Sequence, residues 1–288
     1  AAAFGLAGTL SVIVLGDESG YAVSESQKSK LAAMEAMWET EPAPASFNLI
    51  ASINEKEQKN NWELKVPYVL GILSTRSTHT VLPGIKDIRA ENRARIERGV
   101  IAVTALEALR KNPQDAQAQA FFNKYQKDMG YGLLLKKYTD DLTQATPQMM
   151  DQAAHDSVPP VLPLFWSFRV MVGMGMLMLL LTGLSVWFTT RNTFMRQRWL
   201  LHAVLWSIPA PWIAAQTGWI VAEMGRQPWT VFGMLPTHLS ASSLSAGDLW
   251  GSLAGFVAFY TVLLIAEMYL MFKYARLGPA SVQQPTTA

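Results

Sequence analysis

The side chains best placed to do chemistry in this 288-residue chain sit at the edges of long apolar runs. Trp212, Gln216, Trp219, Glu223 and Arg226 follow one another in steps of 4, 3, 4 and 3, which is one stripe of a helix. An ionisable group beside hydrocarbon is costly unless it has a partner. Two readings fit the stripe: an interfacial Glu–Arg pair within a Trp belt, or a carboxylate and a guanidinium beside a cofactor with an indole one turn deeper. Met171, Met174 and Met178 form a second stripe, preceded by Arg169. These are packing residues, or one of them is a thioether ligand to haem iron; spacing does not choose among the three. Lys30 and Glu35 lie five residues apart, about 140° around a helix, which is poor pairing geometry. No cation stands three or four residues from Glu35, so it reads as a solvated charge or as a carboxylate reserved for a ligand. His79, His155, His202 and His238 are scattered and read as structural or surface residues. The absence of cysteine excludes disulfides, thiolate zinc sites, iron–sulfur clusters and covalently attached c-type haem. No phosphate loop, dinucleotide fingerprint, His-Glu-x-x-His or nucleophile elbow occurs.

The elements that must position these groups follow from the charge distribution. Half the residues are hydrophobic and 16% are charged, yet residues 16–163 hold 17 of the 24 Lys and Arg and 19 of the 22 Asp and Glu. The remainder is nearly uncharged, which excludes a purely soluble protein. A net charge of +2, with bases interleaved among acids, gives no argument for nucleic acid. Residues 170–190, 199–222 and 249–266 contain no charged side chain, and each is long enough to cross a hydrocarbon core of about 30 Å as a helix. The third run continues past Glu267 to Phe272. Residues 1–16 are also uncharged, lack a signal-peptide pattern and read as the second part of a transmembrane helix cut open at its N-terminus.

Arg191, Arg196 and Arg198, and later Lys273 and Arg276, stand in short connections without acids. The positive-inside rule places both connections in the cytoplasm, and residues 17–163 and 223–248 on the external side. The fold expected is an all-α integral membrane protein: a transmembrane helix bundle with a mostly helical external domain. Its segments are a truncated span at 1–16, the external domain at 17–163, a span at 164–190, a cytoplasmic loop at 191–198, a span at 199–222, an external loop at 223–248, a span at 249–272 and a cytoplasmic tail at 273–288. Within the external domain the sequence predicts helices over Ser26–Thr40, with Leu31, Met34 and Trp38 on one side, Ile85–Asn112 and Ala116–Lys127. It also predicts a short strand at Trp62–Val66, stopped by Pro67, and a disordered tail at 281–288.

The same residues carry a family resemblance. Gly16-Asp17-Glu18-Ser19-Gly20-Tyr21, Lys28-Ser29-Lys30-Leu31-Ala32-Ala33-Met34-Glu35, Trp38-Glu39-Thr40 and Pro42-Ala43-Pro44 closely resemble the start of the quinol-binding loop of cytochrome bd quinol oxidase subunit I. Gly225-Arg226-Gln227-Pro228-Trp229 is similar to that family's signature pentapeptide, and Phe168-Arg169-Val170-Met171-Val172 and Ala275-Arg276-Leu277-Gly278-Pro279 also match. The resemblance covers essentially the whole chain.

It implies electrogenic oxidation of membrane quinol and reduction of dioxygen to water in a bacterial inner membrane, with residues 17–163 and 223–248 periplasmic. It implies three haems: a low-spin haem b, a high-spin haem b and a haem d. By the same resemblance Met171 ligates the low-spin haem b, Arg169 stabilises its reduced form, Glu223 ligates the high-spin haem b with Arg226 nearby, and Trp219 lies on the electron path. Lys30 and Glu35 match quinol-loop residues. Implied partners are subunit II, a small accessory subunit and the missing N-terminal part of subunit I, which carries the remaining haem ligands; without it this chain is not expected to assemble the three-haem site. Two other classes compete. A secondary transporter would use Pro209, Pro211 and the intramembrane Glu267, although no repeated half is visible. A non-catalytic membrane scaffold would need none of these side chains.

Overall fold

The computed structural model describes residues 1–277 as two units, 1–240 and 241–277. The expected tail at 281–288 and the Gly278-Pro279 end of the last motif lie outside the described residues.

The first unit opens with helix α1 (Ala2–Ser26). Its uncharged part ends at Gly16, and the helix continues for ten residues through Asp17 and Glu18. Gln27, at φ −133° and ψ 60°, breaks the helix, and α2 (Lys28–Met34) follows. The helix expected over Ser26–Thr40 is therefore two pieces, and it stops where Ala36 turns the backbone at φ 48°. Leu31, Met34 and Trp38 are nonetheless all buried. Strand β1 (Phe47–Asn54) pairs antiparallel with β2 (Lys59–Val66), extending the strand read at Trp62–Val66 and supplying a partner the sequence did not suggest. A short α3 (Val69–Thr75) leads to α4 (Ile85–Lys111), which ends before Pro113 as expected.

Helix α5 (Ala116–Tyr125) is capped by Asp115, whose carboxylate accepts from the N–H groups of Gln117 and Ala118 at 3.0 Å. Beyond α6 (Met129–Leu133), Thr146 and Pro147 start α7 (Pro147–Asp156). Pro159 and Pro160 then separate α7 from α8 (Val161–Thr190), whose 30 residues reach about 45 Å.

The run 199–222 is not one continuous helix. It forms α9 (Arg198–Trp206) and α10 (Ala210–Met224), parted at Ser207–Pro209. Proline has no N–H to donate and its ring clashes with the carbonyl four residues earlier, so Pro209 and Pro211 end one helix and start the next. A small hairpin, β3 (Trp229–Val231) with β4 (Leu235–Pro236), completes the unit. The second unit is a single apolar helix, α11 (Ala246–Leu277). Among the described residues, three helical segments are long and apolar enough to cross a membrane: α1, the segment closing with α8, and α11.

Two cores hold the first unit. One gathers Leu31, Met34 and Trp38 with Leu164 and Phe165 of α8 and Val221 of α10. The other joins Ile96 and Val103 of α4 to Tyr131, Leu135, Ala153 and Trp229. It requires a backbone-to-backbone approach of α4 and α6: a Cβ built on Gly99 would lie 2.8 Å from the Cα of Gly132 and closer still to its nitrogen. Gly99→Ala should therefore destabilise the unit by roughly 1–3 kcal/mol. Gly20→Ala, at a helical position with open space around it, should be neutral or slightly stabilising. Thermal unfolding of the assembled protein checks both, and equal midpoints would contradict the packing described.

Candidate functional site

Glu35 was open to a reading as a solvated charge, and the structure overturns that reading. The residue is 1% exposed, and its carboxylate accepts from Nη2 of Arg169 at 2.6 Å. The partner lies 134 residues downstream, beyond any intrahelical search. The guanidinium of Arg169 holds the loop at more than this point. Nε donates to the carbonyl of Asn48 at 3.1 Å, Nη1 donates to the carbonyl of Met34, and Nη2 reaches Asn48 as well. Its Cζ lies 3.8 Å from the ring centroid of Phe165 and 5.0 Å from that of Phe47. Asn48, which no local pattern singles out, donates from Nδ2 to the carbonyl of Glu35 at 2.8 Å. Burial pushes the Glu35 carboxyl up to about 7, while Arg169 and the Asn48 backbone pull it back.

Lys30 turns to a different helix, consistent with its poor spacing from Glu35. Its aliphatic stem crosses Gly225 at the end of α10, where an added Cβ would lie 2.8 Å from Cε. The glycine of the pentapeptide thus leaves room for the lysine of the loop. Burial lowers the Lys30 pKa, Arg226 lowers it further, and Glu223 opposes them. Glu223 and Arg226 are 3.4 Å apart, and both are about half-exposed. Trp212 and Trp219 are also exposed, so most of this stripe is left uncovered within the unit. Trp229, by contrast, is buried: its ring lies 5.0 Å from that of Tyr131 and fixes the end of the pentapeptide in the second core.

Met171 lies two residues beyond Arg169 and points elsewhere. Its Sδ would lie 3.0 Å from a Cβ at Gly218, so the thioether rests in a notch on α10. One turn further along α8, a Cβ added at Gly175 would meet nothing within 4 Å. No group of three or more His, Cys, Asp or Glu able to hold a metal ion occurs among the described residues. The donors present are single ones, Met171 on one helix and Glu223 on the other. A porphyrin already supplies four nitrogens and needs only one or two axial ligands, so this donor set and the bare face at Gly175 fit haem rather than a free metal ion.

Comparison with known proteins decides the family. The sequence model described as cytochrome bd terminal oxidase subunit I matches residues 1–279. The chain belongs to this family. Over 285 residues it is 42% identical to cytochrome bd-II ubiquinol oxidase subunit 1 of Escherichia coli (strain K12), covering 98% of this chain and 55% of that protein. It is 30% identical over 275 residues to cytochrome bd ubiquinol oxidase subunit 1 of Bacillus subtilis (strain 168), covering 95% and 47%. A putative cytochrome bd menaquinol oxidase subunit I from the same bacterium is 25% identical over 268 residues, covering 92% and 44%. The chain spans about half the length of these curated relatives. Membership in the family does not favour the transporter and scaffold readings.

The Glu35–Arg169 geometry carries a pH dependence. Folded Glu35 keeps its proton to about pH 7, against an ordinary value of 4.5. Between those values the folded state binds more protons than the unfolded chain, so this group's contribution to stability falls as pH rises. The thermal midpoint of the parent minus that of Glu35→Gln should therefore fall from about pH 4.5 to 7 and level off above. A difference that rises over this range would mean that Arg169 outweighs burial and keeps the carboxylate ionised.

Proposed function

We propose that the chain is part of the haem-bearing subunit of a bd-type terminal oxidase, which oxidises membrane quinol and passes the electrons to dioxygen. The observation that carries this reading is the placement of a buried carboxyl titrating near neutrality, Glu35, against the residue two positions before a candidate haem ligand, Met171. Oxidation of a quinol releases two protons and two electrons, and two quinols supply the four electrons that, with four protons taken up at the oxygen site, turn one dioxygen into two waters. A carboxyl titrating near 7 is matched to accepting such a proton at neutral pH. Lys30 would bind the head group, with its stem held against Gly225. Arg169 orients the Glu35 carboxyl, and although it points away from Met171, its positive charge on the same helix would favour the reduced form of a haem bound there.

Met171 would hold a low-spin haem b, and Glu223, steadied by Arg226, a high-spin haem b. Trp219, one turn from Glu223, would lie between redox centres. A haem d would take its axial ligand from elsewhere in the assembly. Bound haem supplies one-electron acceptors between a two-electron donor and oxygen. A second subunit, a small accessory subunit and the remainder of subunit I are the partners proposed. The arginines at 191, 196 and 198, at the end of α8 remote from the loop domain, support a cytoplasmic position for that connection and a periplasmic one for residues 17–163 and 223–248. The relatives' names support ubiquinol or menaquinol as the substrate class.

Two sets of variants in the assembled oxidase test this. Met171→Leu keeps the volume, at a packing cost under about 1.5 kcal/mol. It should turn the low-spin haem high-spin or lower its potential. Glu223→Ala should remove the high-spin b signal while sparing the low-spin band in a reduced-minus-oxidised spectrum. Parent-like spectra for both would return these residues to packing and interfacial roles. Glu35→Ala and Lys30→Ala should slow quinol oxidation at unchanged haem content, and normal quinol kinetics in both would sink their assignment.

A further inference from the structure

A cavity of about 400 Å³ lies in the first unit, away from Glu35 and Met171, where the end of α7, the start of α8 and the Gln227–Pro228 segment meet. Arg89 of α4 lines it, and its Nε and Nη1 are buried with no hydrogen-bond partner among the described residues. A buried N–H donor without an acceptor is costly, and more so when it carries charge, so this arrangement favours an occupant that accepts from Arg89.

The two carboxylates in the wall do not supply it. Glu55 accepts from the N–H of Leu162 at 2.9 Å, in the first turn of α8. Asp156 accepts from Lys137 Nζ at 2.9 Å, Tyr138 Oη at 2.6 Å and Gln152 Nε2 at 3.0 Å, and the Nδ1 of His155 lies 3.3 Å away. Both acids are engaged by other donors, so they offset some of the charge of Arg89 without satisfying its N–H groups. Lys137, His155 and the side-chain amide of Gln227 also face the space and can donate to a ligand.

We propose that this cavity binds a phosphate group, with Arg89 as its central contact and Lys137 and His155 beside it. A tetrahedral oxyanion presents several acceptors at once, which suits converging guanidinium, ammonium and imidazole donors. Pro160 and Val161 in the wall begin a helix long and apolar enough to cross a membrane, which places the cavity near headgroup depth. The phosphate can therefore come from a phospholipid headgroup or from solution, and the chemistry at Arg89 is the same.

Equilibrium dialysis of the assembled, delipidated oxidase against radiolabelled inorganic phosphate at constant ionic strength tests the free-ion source. Native mass spectrometry of oxidase taken from vesicles of phosphatidylcholine with phosphatidylglycerol tests the lipid source. The expected result is one phosphate site, or one retained phospholipid, in the parent. Arg89→Gln should weaken it at least about tenfold, a change of about 1.4 kcal/mol. Arg89→Lys should recover part of the loss. If Arg89→Gln fails to assemble, Lys137→Gln should show a smaller loss in the same two assays. A parent that binds no phosphate and retains no phospholipid overturns the proposal, as does an Arg89→Gln variant that binds like the parent.

Discussion

The guanidinium of Arg169 is the point at which the apolar helices and the charged loop domain of residues 1–240 become one structure. It stands near the start of α8, yet its hydrogen bonds go to the carbonyls of Met34 and Asn48 and to the carboxylate of Glu35. These groups belong to the end of α2 and the start of β1, so one side chain sets where both elements sit on the helix. An ion pair this buried does not add much net stability, because the desolvation of both ions offsets their attraction. Removing one partner is a different matter, since it strands the other without water. The pair therefore acts as a constraint on position: α2 has one seat on α8 where all these bonds form together. Phe165 beneath the guanidinium, fully buried itself, makes that seat rigid.

The second attachment is made by shape. Lys30 reaches the end of α10 because residue 225 has no side chain, and α10 is held there because Trp229, four residues on, is buried against Tyr131. Glycine and tryptophan at the two ends of the pentapeptide thus do opposite things, one by leaving space and the other by filling it. Lys30 and Glu35, five residues apart, point to α10 and to α8 respectively. The short helix between them bridges the two helices that carry the candidate haem ligands.

Much of this was legible in the sequence because it rests on local rules. Apolar length marked α8 and α11, proline marked the end of α4, and helical spacing grouped Leu31 and Met34 on a buried side. What apolar length and periodicity missed has other causes. Residues 199–222 have the composition of a span, and only Pro209 and Pro211 reveal that the helix breaks. α1 runs past its last apolar residues because helix continuity depends on the backbone and not on the hydropathy that marked its end. The Glu35–Arg169 pair joins residues 134 positions apart, and no periodicity reports such a distance. Asn48 sits in a strand whose partner was also unseen. The resemblance to the family named Glu35 and Arg169 separately, but only the folded chain places them in contact.

That contact also bears on why a carboxyl is buried here at all. An apolar residue in place of Glu35 would leave Arg169 a buried charge without its acid, and a carboxylate in water would titrate near its ordinary value. Burial raises the pKa of the carboxyl, and the charge and hydrogen bond of Arg169 lower it. The opposition of the two leaves it titrating near neutrality. Under the proposed quinol oxidation that balance is what a proton acceptor needs, since it must take a proton as electrons leave and then release it. The same guanidinium that positions the loop therefore tunes the group the loop presents, and a substitution at Arg169 cannot alter one without the other.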